Sequence, residues 1–332
     1  MPEPSPTRPK RRGRLFRYTA ALLVLCGVAA YLVVQYITGG GGARGCKVVS
    51  ADGDGASYEF TPEQAVNAAT IAAVGTGRGM PERAVTIALA TALQESGLRN
   101  IEHGDRDSLG LFQQRPSQGW GTERQIMDPA YAAGIFYAHL AKVPDYGDLP
   151  LTVAAQRVQR SGYPEAYAKH EPDATLLAAA LTGRAAATLT CDGRPARTAS
   201  ATGPDAVRDA LVRDFGRDAL QETGAQVGGT PVPSPSPSPS VTATAHGRTV
   251  TVPVSAGTGT GTAATGRGER ERGWQVAQWA VANSSALHIR RVSYAGRQWT
   301  AGSGGGAWAT AGSHGAGGAE RSAGAVRIET GQ

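Results

Sequence analysis

Cysteine and histidine are scarce in this sequence, and their scarcity argues against several kinds of site. The 332 residues include three cysteines and six histidines. The cysteines form no CxxC pair, and His103, His139 and His170 have no metal-ligand spacing with one another or with acidic residues. We therefore expect no bound metal and no cofactor.

Net positive charge is small beyond the N-terminus. The formal net charge is +6, and residues 1–18 supply +5 of it through six Lys and Arg residues set against Glu3. A nucleic-acid-binding domain needs a basic face on its folded part, which the remaining +1 does not supply. We therefore expect no nucleic-acid partner.

One long apolar run follows the basic tail 1–17. Residues 18–37 contain no charged side chain and have the length of a helix that spans a bilayer. The basic flank would stay inside, which predicts a single-pass plasma-membrane protein with most of the chain extracellular. A cleaved signal peptide is the alternative, but the apolar run continues through residues 31–37, which favours a retained anchor.

The remaining cysteines predict a disulfide. Cys26 falls in the apolar run, whereas Cys46 and Cys191 lie beyond it, on the side expected to be oxidising. These two bracket one segment of the chain, so we predict that they pair with each other. Two free thiols are the alternative.

Helical signals dominate the segment 61–183, which follows a linker at 38–60. Thr61 and Pro62 are typical of a helix start, and Pro81 begins a second helix that Gly97 ends. A long loop then leads to three further predicted helices, at residues 128–142, 151–160 and 165–181, and Pro172 starts the second part of the last one. Long ordered loops inside compact domains are frequently functional.

Beyond residue 183 the composition changes. Residues 184–203 and 231–268 are predicted linkers, the second containing a Pro/Ser repeat. An amphipathic helix is expected within 204–230, with Val207, Leu211 and Phe215 on one side. Residues 269–332 predict a small α+β module with a Gly-rich tail. The alternating run "RTVTVPV", which precedes the module, and the runs "IRRVSY" and "AVRIET" within it indicate strands, and the tryptophans of the module are expected in a core.

Glu95 is the leading candidate for chemistry. It ends an apolar helix between Leu93 and Leu98, where desolvation would raise its pKa, as a general acid requires. Judged by its position alone, a solvent-exposed glutamate at a helix end is the commoner case.

The loop after Glu95 changes that balance. "QESGLRN" followed by "DSLGLFQQRPSQGWG" resembles the lysozyme-like superfamily of lytic transglycosylases and goose-type lysozymes. "IMDPAYAAGIFYAHL" and "AAQRVQRSGYPEAYAKHEP" are similar to later parts of such modules in actinobacterial cell-wall hydrolases. The resemblance covers residues 61–183 and implies that Glu95 is the catalytic acid.

The resemblance also implies a sugar cleft. Its expected substrate-binding residues are Ser96, Ser108, Gln113, Gln114, Trp120, Tyr137, Arg160 and Tyr163. For Trp120, packing of the loop against the helices is an equal alternative.

Two features depart from the family pattern or leave its chemistry open. The Ala-Tyr-Asn-Ala-Gly segment of transglycosylases is replaced here by residues 155–160, which contain no asparagine. Either Gln156, Arg160 or Tyr163 substitutes for it, or the cleft is altered. Asp105 and Asp107 are candidates for a second carboxylate that positions water, although solvated turn residues are the commoner reading.

The expected fold class is a mainly α lysozyme-like domain after a single transmembrane helix, followed by a Pro/Ser-rich linker and a small α+β C-terminal module. The expected function is membrane-anchored, extracellular cleavage of peptidoglycan glycan strands, with Glu95 as general acid and base. The alternative is an inactive glycan-binding or envelope-assembly protein whose C-terminal module binds a protein partner.

Overall fold

The structure is a computed structural model. It describes residues 45–160, 164–193, 202–216, 244–254, 268–302, 306–311 and 324–331. These residues all belong to one compact unit, Arg44–Gln332.

A small antiparallel sheet joins the two ends of the helical part. It contains β1 (Cys46–Val49), β2 (Ser57–Phe60) and β3 (Leu189–Cys191) in the order β2-β1-β3. Cys46 lies directly opposite Cys191 in the β1–β3 register, and the two form a disulfide. The predicted pairing is confirmed.

Six helices and two 3₁₀ turns form the helical part. Their bounds are α1 (Pro62–Gly77), α2 (Glu82–Ser96), a 3₁₀ turn (Pro116–Gln118), α3 (Glu123–Ile126), α4 (Pro129–Leu140), α5 (Leu151–Gln159), a 3₁₀ segment (Pro164–His170) and α6 (Glu171–Leu181). Thr61 forms a capping box with Gln64, as the sequence suggests for a helix start. At the other end of the hairpin, Gly97 closes α2 in the left-handed conformation.

A second, six-stranded antiparallel sheet forms the C-terminal part. Its strands are β4 (Thr244–His246), β5 (Thr249–Pro253), β6 (Ile289–Tyr294), β7 (Arg297–Thr300), β8 (Ala309–Thr310) and β9 (Ala325–Thr330), in the order β4-β5-β9-β6-β7-β8. Two helices accompany it, α7 (Pro204–Phe215) and α8 (Glu269–Ala282). The three predicted strands of this region are confirmed.

Helix α8 connects the second sheet to the helical part. It contacts α1 and α6 as well as β6 and β9. The Gln278 side chain, fully buried, donates to the carbonyls of Ala180 and Ala185 and accepts from the backbone N–H of Thr188 and Leu189. The tryptophans are buried as expected: Trp274, Trp279, Trp299 and Trp308.

The expected fold class is therefore wrong in two respects. Within the described residues no helix is long and apolar enough to cross a membrane; the longest, α1, has 16 residues, whereas a span needs about 20. This finding contradicts the single-pass architecture and the membrane localisation inferred from it, and residues 18–37 themselves lie outside the described residues. The α+β segment is also no separate module, because α8 shares its buried surface with the helical part.

Candidate active site

Glu95 lies in the last turn of α2, with its carboxyl partly buried. The chain turns sharply after it, since Gly97 and Leu98 both have positive φ angles. Burial raises the pKa of the Glu95 carboxyl, while hydrogen bonds from Tyr167 and Gln159 act in the opposite direction. A carboxylic acid that holds its proton more tightly than usual suits general acid catalysis.

Tyr167 is the closest described partner of this carboxyl. Its ring is fully buried in the 3₁₀ segment Pro164–His170, and its hydroxyl donates to Glu95 Oε1 at 2.7 Å. Tyr167 was not among the residues that the sequence predicted for the site. The available signal was its place within the family-like stretch "YPEAYAKH", but 72 residues separate it from Glu95 and nothing in the local pattern joins the two.

Gln159 connects the end of α5 to the loop that follows Glu95. Its Nε2 donates to the Phe112 carbonyl at 2.7 Å, and its amide also hydrogen-bonds to Glu95. The sequence suggested that Gln156, Arg160 or Tyr163 would replace the missing asparagine. The structure instead brings Gln159 to the carboxyl, whereas Arg160 is exposed and Tyr163 lies outside the described residues.

Ser96 anchors the loop to the helix. Its buried hydroxyl bonds to the Leu111 carbonyl at 2.8 Å and to the Ala92 carbonyl, and it accepts from the Arg99 backbone N–H. The side chain therefore places the Gly-Leu-Phe-Gln segment beside Glu95. Because its buried hydroxyl is already hydrogen-bonded to backbone groups, Ser96 positions the loop and is not placed to bind a sugar.

The backbone of the same loop packs closely against the chain around Ile126. Leu109 and Gln114 pair through two backbone hydrogen bonds, and Gly110 between them has φ +75°. A Cβ at Gly110 would lie 2.7 Å from the Ile126 carbonyl oxygen, so the close approach requires glycine. Gln113 also has a positive φ, of 47°.

Several predicted substrate-binding residues are internal. Ser108 and Gln114 are buried, and Gln114 donates to the Ala132 carbonyl. Tyr137 is buried too, with its hydroxyl donating to the Ile71 carbonyl at 3.0 Å. Gln113 is partly exposed, and its amide donates to the Gly110 carbonyl.

Trp120 provides aromatic surface near the loop's end. It is partly buried and stacks on His139, with ring centroids 4.4 Å apart. Burial lowers the pKa of His139, and the charges of Lys142 and Arg160 lower it further, which favours a neutral ring at pH 7. The packing predicted as one alternative for Trp120 is therefore present, and part of the ring stays exposed.

The two candidate aspartates differ in their surroundings. Asp107 accepts from Arg115 Nε at 2.7 Å and from the Ser117 backbone N–H at 2.9 Å, and hydrogen bonds from Ser117 and Arg115 hold its pKa far below its usual value. Asp107 thus fastens the loop to its 3₁₀ turn. Asp105 is exposed. Within the described residues, no carboxylate contributes to the Glu95 pKa shift.

Possible metal ligands are dispersed wherever the structure describes them. Over these ranges, no group of three or more His, Cys, Asp or Glu side chains lies close enough to hold an ion.

Comparisons with known proteins concern the other end of the chain. A protein-family profile described as "VldE, C-terminal domain" matches residues 234–320. The match covers well under half of the chain and excludes Glu95, its loop and Tyr167. No match to the chain was found among curated proteins.

Proposed function

We propose that this protein cleaves the glycan strands of peptidoglycan at the β-1,4 bond between N-acetylmuramic acid and N-acetylglucosamine. The observation that carries the proposal is the state of Glu95: a partly buried carboxyl with a raised pKa, held by the Tyr167 hydroxyl at 2.7 Å. The lysozyme-like motifs around it supply the substrate class.

The first step is proton transfer from Glu95. Its carboxylic acid protonates the glycosidic oxygen while the bond from that oxygen to the muramic acid C1 breaks, which releases the N-acetylglucosamine hydroxyl. Glu95 is then a carboxylate. The hydrogen bonds from Tyr167 and Gln159 stabilise this charge at the moment when it forms.

The second step returns the proton to Glu95. The carboxylate removes it from a nucleophile that attacks C1, either water or the C6 hydroxyl of the same muramic acid. Attack by water gives a reducing end, and attack by the C6 hydroxyl gives a 1,6-anhydro end. We favour the C6 hydroxyl, since Asp107 is already committed to Arg115 and Ser117.

Recognition of the strand is assigned to Trp120 and Gln113, in the loop region that follows Glu95. Trp120 presents a ring held in place by His139, which suits stacking against the apolar face of a sugar. The half-exposed Gln113 adds an amide for hydrogen bonds to acetamido groups.

The test incubates full-length protein, refolded or purified with its disulfide intact, with purified peptidoglycan. Soluble fragments are measured by mass spectrometry, and Glu95→Gln is the matched variant. We expect the wild type to release muropeptides and the variant to be slower by a factor of about 100 or more. The mass of one water separates anhydro from reducing ends.

Equal release by wild type and Glu95→Gln would overturn the proposal. So would the absence of release from a folded wild-type protein. If that protein nevertheless sedimented with the cell wall, the function would be glycan binding without cleavage.

A further inference from the structure

A cavity lies at some distance from Glu95. It has a volume of about 330 Å³ and is formed where the C-terminal ends of α1 and α7 meet α4. Asn67 bonds to the Leu98 carbonyl near Glu95, and the cavity begins seven residues further along α1, at Val74. At 1.5 Å per residue, the two places are separated by roughly 10 Å or more along the helix axis.

The lining of this cavity combines apolar side chains with two arginines. Its size falls at the lower end of the range for small-molecule sites. The apolar lining comes from Val74, Ala130, Ile135, Ala138 and Phe215, and the polar lining from Arg78, Tyr131, Arg213 and Asp214.

Arg213 is oriented by a carboxylate that is inaccessible to solvent. Asp214 Oδ1 accepts from Arg213 Nε at 2.8 Å, and Oδ2 accepts from Trp279 Nε1 at 2.8 Å and Thr70 Oγ1 at 3.2 Å. The Asp214 side chain is 0% exposed, while that of Arg213 is 51% exposed. Since the bond uses Nε, both terminal nitrogens of Arg213 have no partner among the described residues.

Arg78 reaches the same cavity from the end of α1. Its Nη2 lies 3.2 Å from the position that a Cβ on Gly134 would occupy, so the guanidinium rests against a glycine inside α4. No polar contact of the Arg78 side chain is found within the described ranges, which leaves it available to a ligand.

We propose that this cavity binds a carboxylate carried on a short aliphatic body, the chemistry of the free C-terminal end of an acyl-dipeptide with small side chains. The planar guanidinium matches a carboxylate through paired hydrogen bonds. The apolar lining accepts methyl groups. Asp214 already offsets the charge of Arg213, so Arg78 supplies one uncompensated charge, which matches a monoanion.

This proposal does not rest on cleavage by Glu95. Under the proposed function, such a carboxylate would be the end of a peptide stem on the wall polymer. A free small acid has the same chemistry, so the experiment separates them by comparing peptide and non-peptide probes.

The experiment is an NMR titration of full-length protein with N-acetyl-D-alanyl-D-alanine as the probe. We expect saturable binding that weakens about tenfold or more in Arg78→Gln, a loss typical of a charge-assisted hydrogen bond. The C-terminal amide of the same peptide should bind about tenfold more weakly, and acetate should bind more weakly than the peptide. The control variant is Arg208→Gln, on α7 and paired with Asp205, which should bind like the wild type.

Several results would overturn the site. They are no saturable binding to the wild type, equal binding of acid and amide, or unchanged binding in Arg78→Gln. Phosphate or acetate binding as well as the peptide would remove the aliphatic part of the proposal. Arg213→Gln removes the ion-pair partner of the buried Asp214 and risks unfolding the protein. Arg78→Gln breaks no described polar contact, so this variant decides whether the cavity binds the carboxylate. Glu95→Gln should bind the peptide normally, which separates this site from the catalytic one.

Discussion

The carboxyl groups of Asp214 and Glu95 are both shielded from water, but their hydrogen-bond partners differ. Asp214 is fully buried and receives hydrogen bonds from an arginine, a tryptophan and a threonine. Glu95 is partly buried and has neutral hydrogen-bond partners, Tyr167 and Gln159, and its pKa is raised. A buried charge with a full set of donors holds structure together, whereas one with an incomplete set is prepared to take up a proton.

The largest expected effect is on stability at Asp214. Asp214→Ala leaves the Trp279 and Thr70 donors unpaired at the junction of α1, α7 and α8 and should lower the free energy of unfolding by about 3–5 kcal/mol. Denaturant titration measures it. Asp205→Ala on the same helix removes an exposed ion pair and should cost under about 1 kcal/mol. Similar losses in the two variants would contradict the structural role given to Asp214.

Removing the disulfide should have the next largest effect. Replacing Cys46 and Cys191 with serine opens a loop with a sequence separation of 145 residues and should cost about 2–5 kcal/mol. Thermal unfolding with and without reductant measures the loss. The double variant should not respond to reductant, and a response of the same size as that of the wild type would exclude this bond as the cause.

Glu95→Gln should change stability in the opposite direction from Asp214→Ala. The folded protein binds the Glu95 proton more tightly than the unfolded chain does, so folding is opposed by this group at pH values above its folded pKa. Below the unfolded pKa the penalty is absent, and it grows as the pH rises towards the folded value. The variant should therefore be at least as stable as the wild type at pH 7, with the difference vanishing near pH 4. Destabilisation at pH 7 would contradict the assigned pKa direction.

Tyr167→Phe should have the smallest effect. It removes a hydrogen bond that lowers the Glu95 pKa, so that pKa should rise further. As Glu95 acts in its protonated form, the alkaline limb of kcat/KM against pH should move to higher pH, with a loss in maximum rate of about tenfold or less. Tyr58→Phe, in β2 and outside both proposed binding sites, is the control. A shift to lower pH would mean that Tyr167 stabilises the protonated acid instead.

Local patterns predicted much of the secondary structure correctly. The start of α1 depends on Thr61, Pro62 and Gln64, which are neighbours in sequence, and the end of α2 depends on Gly97. The helix predicted for residues 128–142 is α4, with Asp128 as its cap. Val207, Leu211 and Phe215, expected on one side of an amphipathic helix, are all buried.

Longer-range predictions were less successful. The helix expected across residues 165–181 was predicted to have a second part beginning at Pro172, and that part is α6. The first part is a 3₁₀ segment, and no pattern predicted that its Tyr167 would contact Glu95. Tyr137 looked like a cleft residue in sequence, yet its hydroxyl reaches α1 at Ile71. The α+β segment was expected to stand alone, because local alternation shows that a strand has a buried face without showing what covers it.

The sequence by itself determined the caps, the apolar periodicity, the disulfide partners and the candidacy of Glu95, since each depends on residues close together or on a count of cysteines. Only the tertiary structure decided that Tyr167 and Gln159 meet Glu95, that Asp214 is buried beneath Trp279, and that Arg78 and Arg213 share a cavity. Such contacts join residues that are tens to hundreds of positions apart, and they arise when helix faces are packed, which no local pattern specifies.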